Sequence, residues 1–251
     1  MKKIALILSA MAACISLSAQ QQLYNLDFDT WSRKGACWNP FPKDADASTR
    51  VWDTANKGLS ILRINGTEPE YEHVAVKGPG KAAAKLSGKK AAGTFCGGNL
   101  YTGRFVKVVK FTTADMYLGT PFKGRPVSLS GYYHYKPGVI DCARGEYKNR
   151  KGTLDAGNIT VTLTDWDSPH HLTVKGEGQD SGRDPHLIGE GSLVLKKETP
   201  GYVHFEMPIK YYNDRQPKYI LILMSTSLYS EFFTGSTKSV LYVDEFKLNY
   251  K

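Results

Sequence analysis

The segment Ser239 to Tyr250, S-V-L-Y-V-D-E-F-K-L-N-Y, decides the fold class, because it alternates like a closing β-strand. Strict alternation puts Val240, Tyr242, Asp244, Phe246, Leu248 and Tyr250 on one face. Leu241, Val243, Glu245, Lys247 and Asn249 fall on the other. The first face is the more apolar, so it is expected to be the buried one. Asp244 sits in the middle of it, and a buried carboxylate must find a cation or several donors, or else take up a proton.

Working outward from this strand, the middle of the chain shows the same period. Val127 to Tyr135 alternates with Val127, Leu129, Gly131, Tyr133 and Tyr135 on one face and Ser128, Ser130, Tyr132 and His134 on the other. Ile159, Val161 and Leu163 alternate with Thr160, Thr162 and Thr164. Further strands are expected at Leu23 to Asp29, Ser60 to Asn65, Glu72 to Val76, Ala82 to Ser87, Val106 to Phe111, Ser192 to Leu195, Tyr202 to Ile209 and Lys218 to Ser225. Turn-rich stretches separate them, including Gly119 to Pro126 and a long Gly- and Asp-rich loop at Gly176 to Gly191. No segment holds a helical period beyond one or two turns. Short strands punctuated by Gly and Pro give an all-β chain that closes as a sandwich or barrel.

Residues Met1 to Ala19 read as an export signal, with Lys2 and Lys3 before an apolar run from Ile4 to Ile15 and cleavage expected after Ala19. Cys14 raises a lipoprotein alternative, but Met11-Ala12-Ala13-Cys14 is a poor lipobox. No later apolar run has the roughly 20 residues of a membrane-spanning helix. The rest, residues 20 to 251, is expected to form one unit with an irregular aromatic N-terminal arm. The formal charge of +9 falls to +7 when Lys2 and Lys3 are removed. The remaining cations are scattered, so a nucleic-acid partner, which calls for a concentrated basic patch, is not expected. The densest run, Lys77, Lys81, Lys85, Lys89 and Lys90, is broken by Gly78-Pro79-Gly80 and Gly88 and reads as solvated loop and edge strand.

After signal removal Cys37, Cys96 and Cys142 remain, an odd number that allows at most one internal disulfide. No spacing among them fits zinc or a nucleophile with a histidine partner, so buried thiols are expected. The Gly93 to Gly103 run lacks the G-x-x-x-x-G-K-[S/T] spacing of a phosphate loop and reads as a tight loop with close backbone packing. His170-His171 and Asp184-Pro185-His186 are read as exposed loop rather than a zinc site, since adjacent histidines on an extended chain point in opposite directions.

Four stretches carry a family resemblance: Tyr219 to Tyr250, Asn99 to Phe105 (N-L-Y-T-G-R-F), Gly119 to Pro126 (G-T-P-F-K-G-R-P) and Gly131 to Gly138 (G-Y-Y-H-Y-K-P-G). Together they resemble the putative carbohydrate metabolism domain family of exported Gram-negative proteins, from about Asp27 to Tyr250. The resemblance implies a jelly-roll β-sandwich similar to galactose-binding-like carbohydrate modules. It also implies a structural calcium ion between the first and closing strands, where the matching positions are Asp27 or Asp29 and Asp244. The family brings no catalytic residues to carry over.

Three functions are compatible with the residues. The first is non-catalytic carbohydrate binding in the periplasm or at the cell surface, linked to glycan uptake or processing. Aromatic rings would stack on the sugar while polar groups orient it. The residues expected for it are Trp38, Trp52 and Trp166, with Tyr101 and Arg104 beside them. The second is a glycoside hydrolase or lyase, which needs two carboxylates roughly 5 to 10 Å apart. Asp165 and Asp167 flank Trp166 and would project to one side if their strand continued. The third is a structural module docking onto a protein partner in a cell-surface assembly through loops or an edge strand.

Overall fold

In a computed structural model of the chain, residues 20–110, 113–174 and 184–251 are described. The expected signal, with Cys14, and the start of the Gly- and Asp-rich loop lie outside them. In chain order, β1 (Ser32–Lys34) and β2 (Cys37–Asn39) form a hairpin in the N-terminal arm. They are followed by β3 (Trp52–Asp53), the single-turn helix α1 (Asn56–Leu59), β4 (Thr67–Glu70) and β5 (Ala83–Ser87). A second small hairpin, β6 (Lys89–Ala91) and β7 (Thr94–Cys96), precedes β8 (Asn99–Lys110), β9 (Thr113–Leu118), β10 (Thr120–Pro121) and β11 (Ser128–Lys136). Next come β12 (Gly157–Thr164), β13 (His170–Val174), β14 (Leu187–Leu195), β15 (Val203–Pro208), β16 (Lys210–Tyr211), β17 (Tyr219–Ser225) and β18 (Val240–Asn249).

The strands make a jelly-roll β-sandwich. Five strands, in the order β15-β11-β18-β5-β4, form one sheet; nine form the other, along β13-β9-β8-β17-β12-β14-β16 with β10 and β3 attached at β17 and β8. The pairings are antiparallel, including the central β11–β18 and β12–β17 ladders. Leu129, Tyr135, Leu241, Val243, Phe246 and Leu248 of the smaller sheet are buried against Ile159, Val161, Leu163, Ile220, Ile222 and Met224 of the larger. Inward apolar residues alternate with outward ones along these strands, the pattern of two sheets packed face to face.

The main chain beside β5 and β8 packs closely. A Cβ on Gly98 would stand 2.3 Å from the Ser87 amide nitrogen and 2.7 Å from the Gly66 carbonyl, so no larger residue fits. The tight backbone packing expected of the Gly-rich run is found here. The run is only partly loop, since β8 begins at Asn99.

β18 departs from strict alternation. Its pairing with β11 slips between Ser130 and Tyr132, opposite Lys247 and Asp244, and Glu245 adopts the left-handed φ of 49°. This β-bulge reverses the parity of the strand. Leu241 and Val243 face the core before it and Phe246 and Leu248 after it, while Tyr242 and Asp244 lie on the outer side. The bulge needs Gly131, because a Cβ there would lie 2.4 Å from the Phe246 ring. It also frees the Phe246 amide, which donates to the Leu26 carbonyl at 2.8 Å and ties down the N-terminal arm.

That arm is not the strand expected at Leu23 to Asp29. Asn25 and Phe28 both take φ of 56° and the segment turns, with the Asn25 side chain bonding Thr30 N, Thr30 O and Pro40 O. Its apolar residues still plug the core: Phe28 meets Trp52 edge-on at 5.4 Å and Phe246 at 5.1 Å. Two further expected strands are corrected. Residues 56–62 are helical, and 71–77 is an irregular strap lying over the smaller sheet. His170 and His171 are not in a loop either, since they pair with Leu118 and Tyr117 as the start of edge strand β13. Cys37, Cys96 and Cys142 are free thiols, each pushed up in pKa chiefly by burial. Among the described residues no helix is long and apolar enough to cross a membrane.

Candidate functional site

Among the described residues, polar and aromatic side chains gather on the outer face of the five-stranded sheet and in a cleft at one end of the central strands of the nine-stranded one. On the first, the parity reversal of β18 brings Tyr242 and Asp244 beside His134 of β11, and the 71–77 strap lies over them. His73 Nε2 approaches His134 Nδ1 at 2.6 Å, so the two rings share one hydrogen bond. Tyr202 stacks on His73 at 4.9 Å and donates its hydroxyl to the His73 carbonyl at 2.8 Å. Tyr242 stacks on His134 at 5.5 Å.

Asp244 Oδ2 accepts the Ala75 amide at 2.6 Å. Burial pushes the Asp244 carboxyl up to about 6, against the Ala75 hydrogen bond, which lowers it. Burial, with His73 beside it, also holds the His134 imidazolium pKa down. The cluster is packed between the strap and the sheet. It fastens the strap to the sheet, and its hydrogen bonds are spent internally.

A cation does link the N-terminal arm to the closing strand, and it belongs to the chain. The Lys81 ammonium lies 2.8 Å from Asp29 Oδ2 and 2.7 Å from Glu245 Oε1, and both contacts push its pKa up. Asp29 Oδ1 also accepts the Ala82 amide, and Asp27 Oδ1 receives the Asp29 amide at 3.4 Å. Calcium would need six to eight oxygens around one point. Asp27, Asp29 and Asp244 do not supply that set here, because Asp29 is engaged by Lys81 and Asp244 by Ala75. Among the described residues no group of three or more His, Cys, Asp or Glu side chains converges for a metal.

The second surface is a cleft of about 390 Å³ lined by Gln21, Pro121, Phe122 and Lys123 on one side and Trp166, Asp167, Lys218 and Tyr219 on the other. Trp166 follows the end of β12 and is fixed in place. Its indole N–H donates to Asp184 Oδ2 at 2.7 Å and its ring stacks on His170 at 5.1 Å. This end is reinforced by Arg215, whose guanidinium donates to Asp165 Oδ2 at 2.7 Å and to the Pro185 and Leu187 carbonyls.

Of the residues expected from the sequence, Trp166 and Asp167 meet in this cleft and the others are dispersed. Trp52 is fully buried, donating its N–H to the Tyr24 carbonyl, so its ring is core. Tyr101 is buried on β8 near Asp53, where burial drives its hydroxyl pKa far up; neither ring presents a face to solvent. Trp38 is half-buried on β2 under the Arg33 guanidinium, 5.3 Å from the ring centre, and Arg104 is exposed on β8 opposite Tyr117.

Asp165 and Asp167 do not project together from a continuing strand, because β12 ends at Thr164. Asp165 is held by Arg215 and by His186 at 2.9 Å. Asp167 is 90% exposed and pairs with Lys218 at 2.8 Å, which lowers its pKa. The shift at Asp167 is opposite to the one a general acid requires. The residues missed were His73, Tyr202, Phe122, Lys123, Lys218 and Tyr219. Only Phe122 and Lys123 had a signal, the aromatic and cation inside a turn cluster.

Comparison with known proteins places the chain by descent. Residues 27–249 match the family described as Putative carbohydrate metabolism domain. The chain belongs to this family. Among solved structures it is similar to a putative glycoside hydrolase from Bacteroides thetaiotaomicron, with 19% identity, 93% of this chain and 72% of that one covered, and a TM-score of 0.68. A second putative glycoside hydrolase, from Bacteroides vulgatus, matches with 19% identity, coverage of 90% and 97%, and a TM-score of 0.66. Identity at that level shows a shared fold and leaves activity open. No curated protein matches.

Proposed function

We propose that this protein is an exported, non-catalytic carbohydrate-binding protein serving glycan uptake or processing, and that the sugar sits in the Trp166 cleft. The observation that carries the reading is the cleft itself. Immobilised aromatics, Trp166 and Tyr219, stand beside polar groups in a volume suited to a small polar ligand. Sugar rings bind such sites by laying C–H faces on aromatics while hydroxyls take hydrogen bonds. Family membership, the β-sandwich and the signal-like leader support the same reading. Its setting is the periplasm or outer surface of a Gram-negative cell.

The hydrolase reading draws no support from Asp165 and Asp167, since both are committed to cations. The test is binding of the purified chain, residues 20–251, to a broad glycan array. Selective binding, reduced about tenfold or more by Trp166→Ala and unchanged by substitution of the exposed Lys151, which precedes the opposite end of β12, is the expected result. Binding indifferent to Trp166 would remove the cleft from the function.

A further inference from the structure

We infer that the sugar taken by the Trp166 cleft is an acidic one, carrying a carboxylate at the ring that contacts Lys123 and Lys218. This inference rests on the carbohydrate reading of the cleft and specifies its ligand.

The cleft carries two ammonium groups and one carboxylate. Lys123 is exposed, and among the described residues no acidic side chain pairs with it. Its backbone is pinned on both sides: its amide donates to Gln21 Oε1 at 3.0 Å, and its carbonyl accepts the Gln216 amide. Lys218 is anchored likewise, donating to the Thr164 carbonyl and accepting from the Phe122 amide, both at 2.8 Å. Both lysines are thus carried on fixed main chain.

The carboxylate that meets Lys218 is the one easily displaced. Asp167 is 90% exposed and Lys218 54% exposed. A pair so open to water is screened and contributes little. A ligand carboxylate held against Trp166 or Tyr219 can therefore take Lys218 from Asp167 at small cost while also gaining Lys123.

Of the neighbouring acids, Asp165 is paired with the Arg215 guanidinium and hydrogen-bonded to His186, and both oxygens of Asp184 accept hydrogen bonds, from Trp166 Nε1 and the His186 amide. A neutral sugar would leave Lys123 without a counter-charge. A uronate gives it one.

The test compares oligosaccharides that differ only at the carboxylate, such as oligogalacturonides and their carboxyl-reduced counterparts, by titration calorimetry at low and moderate salt. We expect the acidic member to bind about tenfold or more tightly, roughly the effect of one added charged contact. Lys123→Ala or Lys218→Ala should erase the preference, bringing the acidic member's affinity to that of its reduced counterpart. Raising salt should narrow the gap. Equal or tighter binding of the reduced sugar, still lost in Trp166→Ala, would overturn the acidic preference and leave the cleft as the sugar site. Acidic binding that survives Trp166→Ala but follows total salt would mean a diffuse surface effect and overturn the inference. Absence of binding to any array glycan, acidic or neutral, would overturn the carbohydrate reading and the inference with it. Both lysines are exposed, so a preserved thermal midpoint separates lost binding from lost folding.

Discussion

Replacing Asp244 by Asn should stabilise the protein at neutral pH, and the size of the effect follows from the cluster around it. The carboxyl is almost wholly buried, has one short donor in the Ala75 amide, and titrates at about 6 instead of 3.8. Its folded pKa is raised above the unfolded value. Its contribution is therefore most favourable below about pH 4 and is lost as pH rises through about 6. A shift of roughly two units corresponds to about 3 kcal/mol of cost for the ionised form at pH 7.5, an upper figure. The amide of an asparagine at this position carries no charge and keeps an oxygen for the Ala75 amide. In urea titrations at pH 4.5, 5.5, 6.5 and 7.5 we expect wild type and Asp244→Asn to be nearly equal at the lowest pH. The variant should draw ahead by about 1–3 kcal/mol at the highest. A variant less stable than wild type at pH 7.5, together with a wild-type melting temperature lowered by chelator, would refute the reasoning. It would mean that the carboxylate is ionised against a bound cation.

Asn56→Ala should cost about 3 kcal/mol in the same assay, the penalty of several buried groups losing their partners. The buried side chain donates to Trp38 and Thr67 carbonyls and accepts from Gly66 and Thr67 amides, and all four partners would be left unpaired. Gly98→Ala should abolish cooperative folding, since its Cβ would strike main chain of two neighbouring segments. Gly152→Ala, at φ of 87° with open space around it, should cost only about 1 kcal/mol, and similar melting temperatures for the two would contradict the packing account. The three thiols should react slowly with a thiol reagent in the native state and rapidly in denaturant, and reductant should leave the thermal midpoint unchanged, because none is in a disulfide.

The sandwich was legible because the sequences of β11 and β12 alternate cleanly. β11 and β12 fall on the faces their residues predict, and the pairing of apolar rows across two sheets follows from that. What misled was strict alternation where the chain breaks it locally. In β18 the inward residues are Leu241, Val243, Phe246 and Leu248, two alternating pairs separated by three positions instead of two. That gap is the mark of a bulge, and it was concealed because Tyr242 is large enough to read as core. In the arm, Asn25 within an apparently alternating run was the sign of a left-handed turn, which Asn tolerates better than most residues.

The site was less legible than the fold because it depends on strand ends. Trp166 lies just past the end of β12, beyond the ladder. Its cleft is completed by Phe122 and Lys123 from the β10–β11 connection and by Lys218 and Tyr219 at the start of β17. Sequence spacing cannot join segments so far apart in the chain, whereas antiparallel pairing does, by setting Thr164 against Tyr219 and Pro121 against Tyr219. Two ladders converge on one tyrosine, and the aromatics beyond them, Trp166 and Phe122, inherit their positions from it. Trp166, just past the end of β12, lines the surface, whereas Trp52, paired with Thr102 on β3, is drawn into the core.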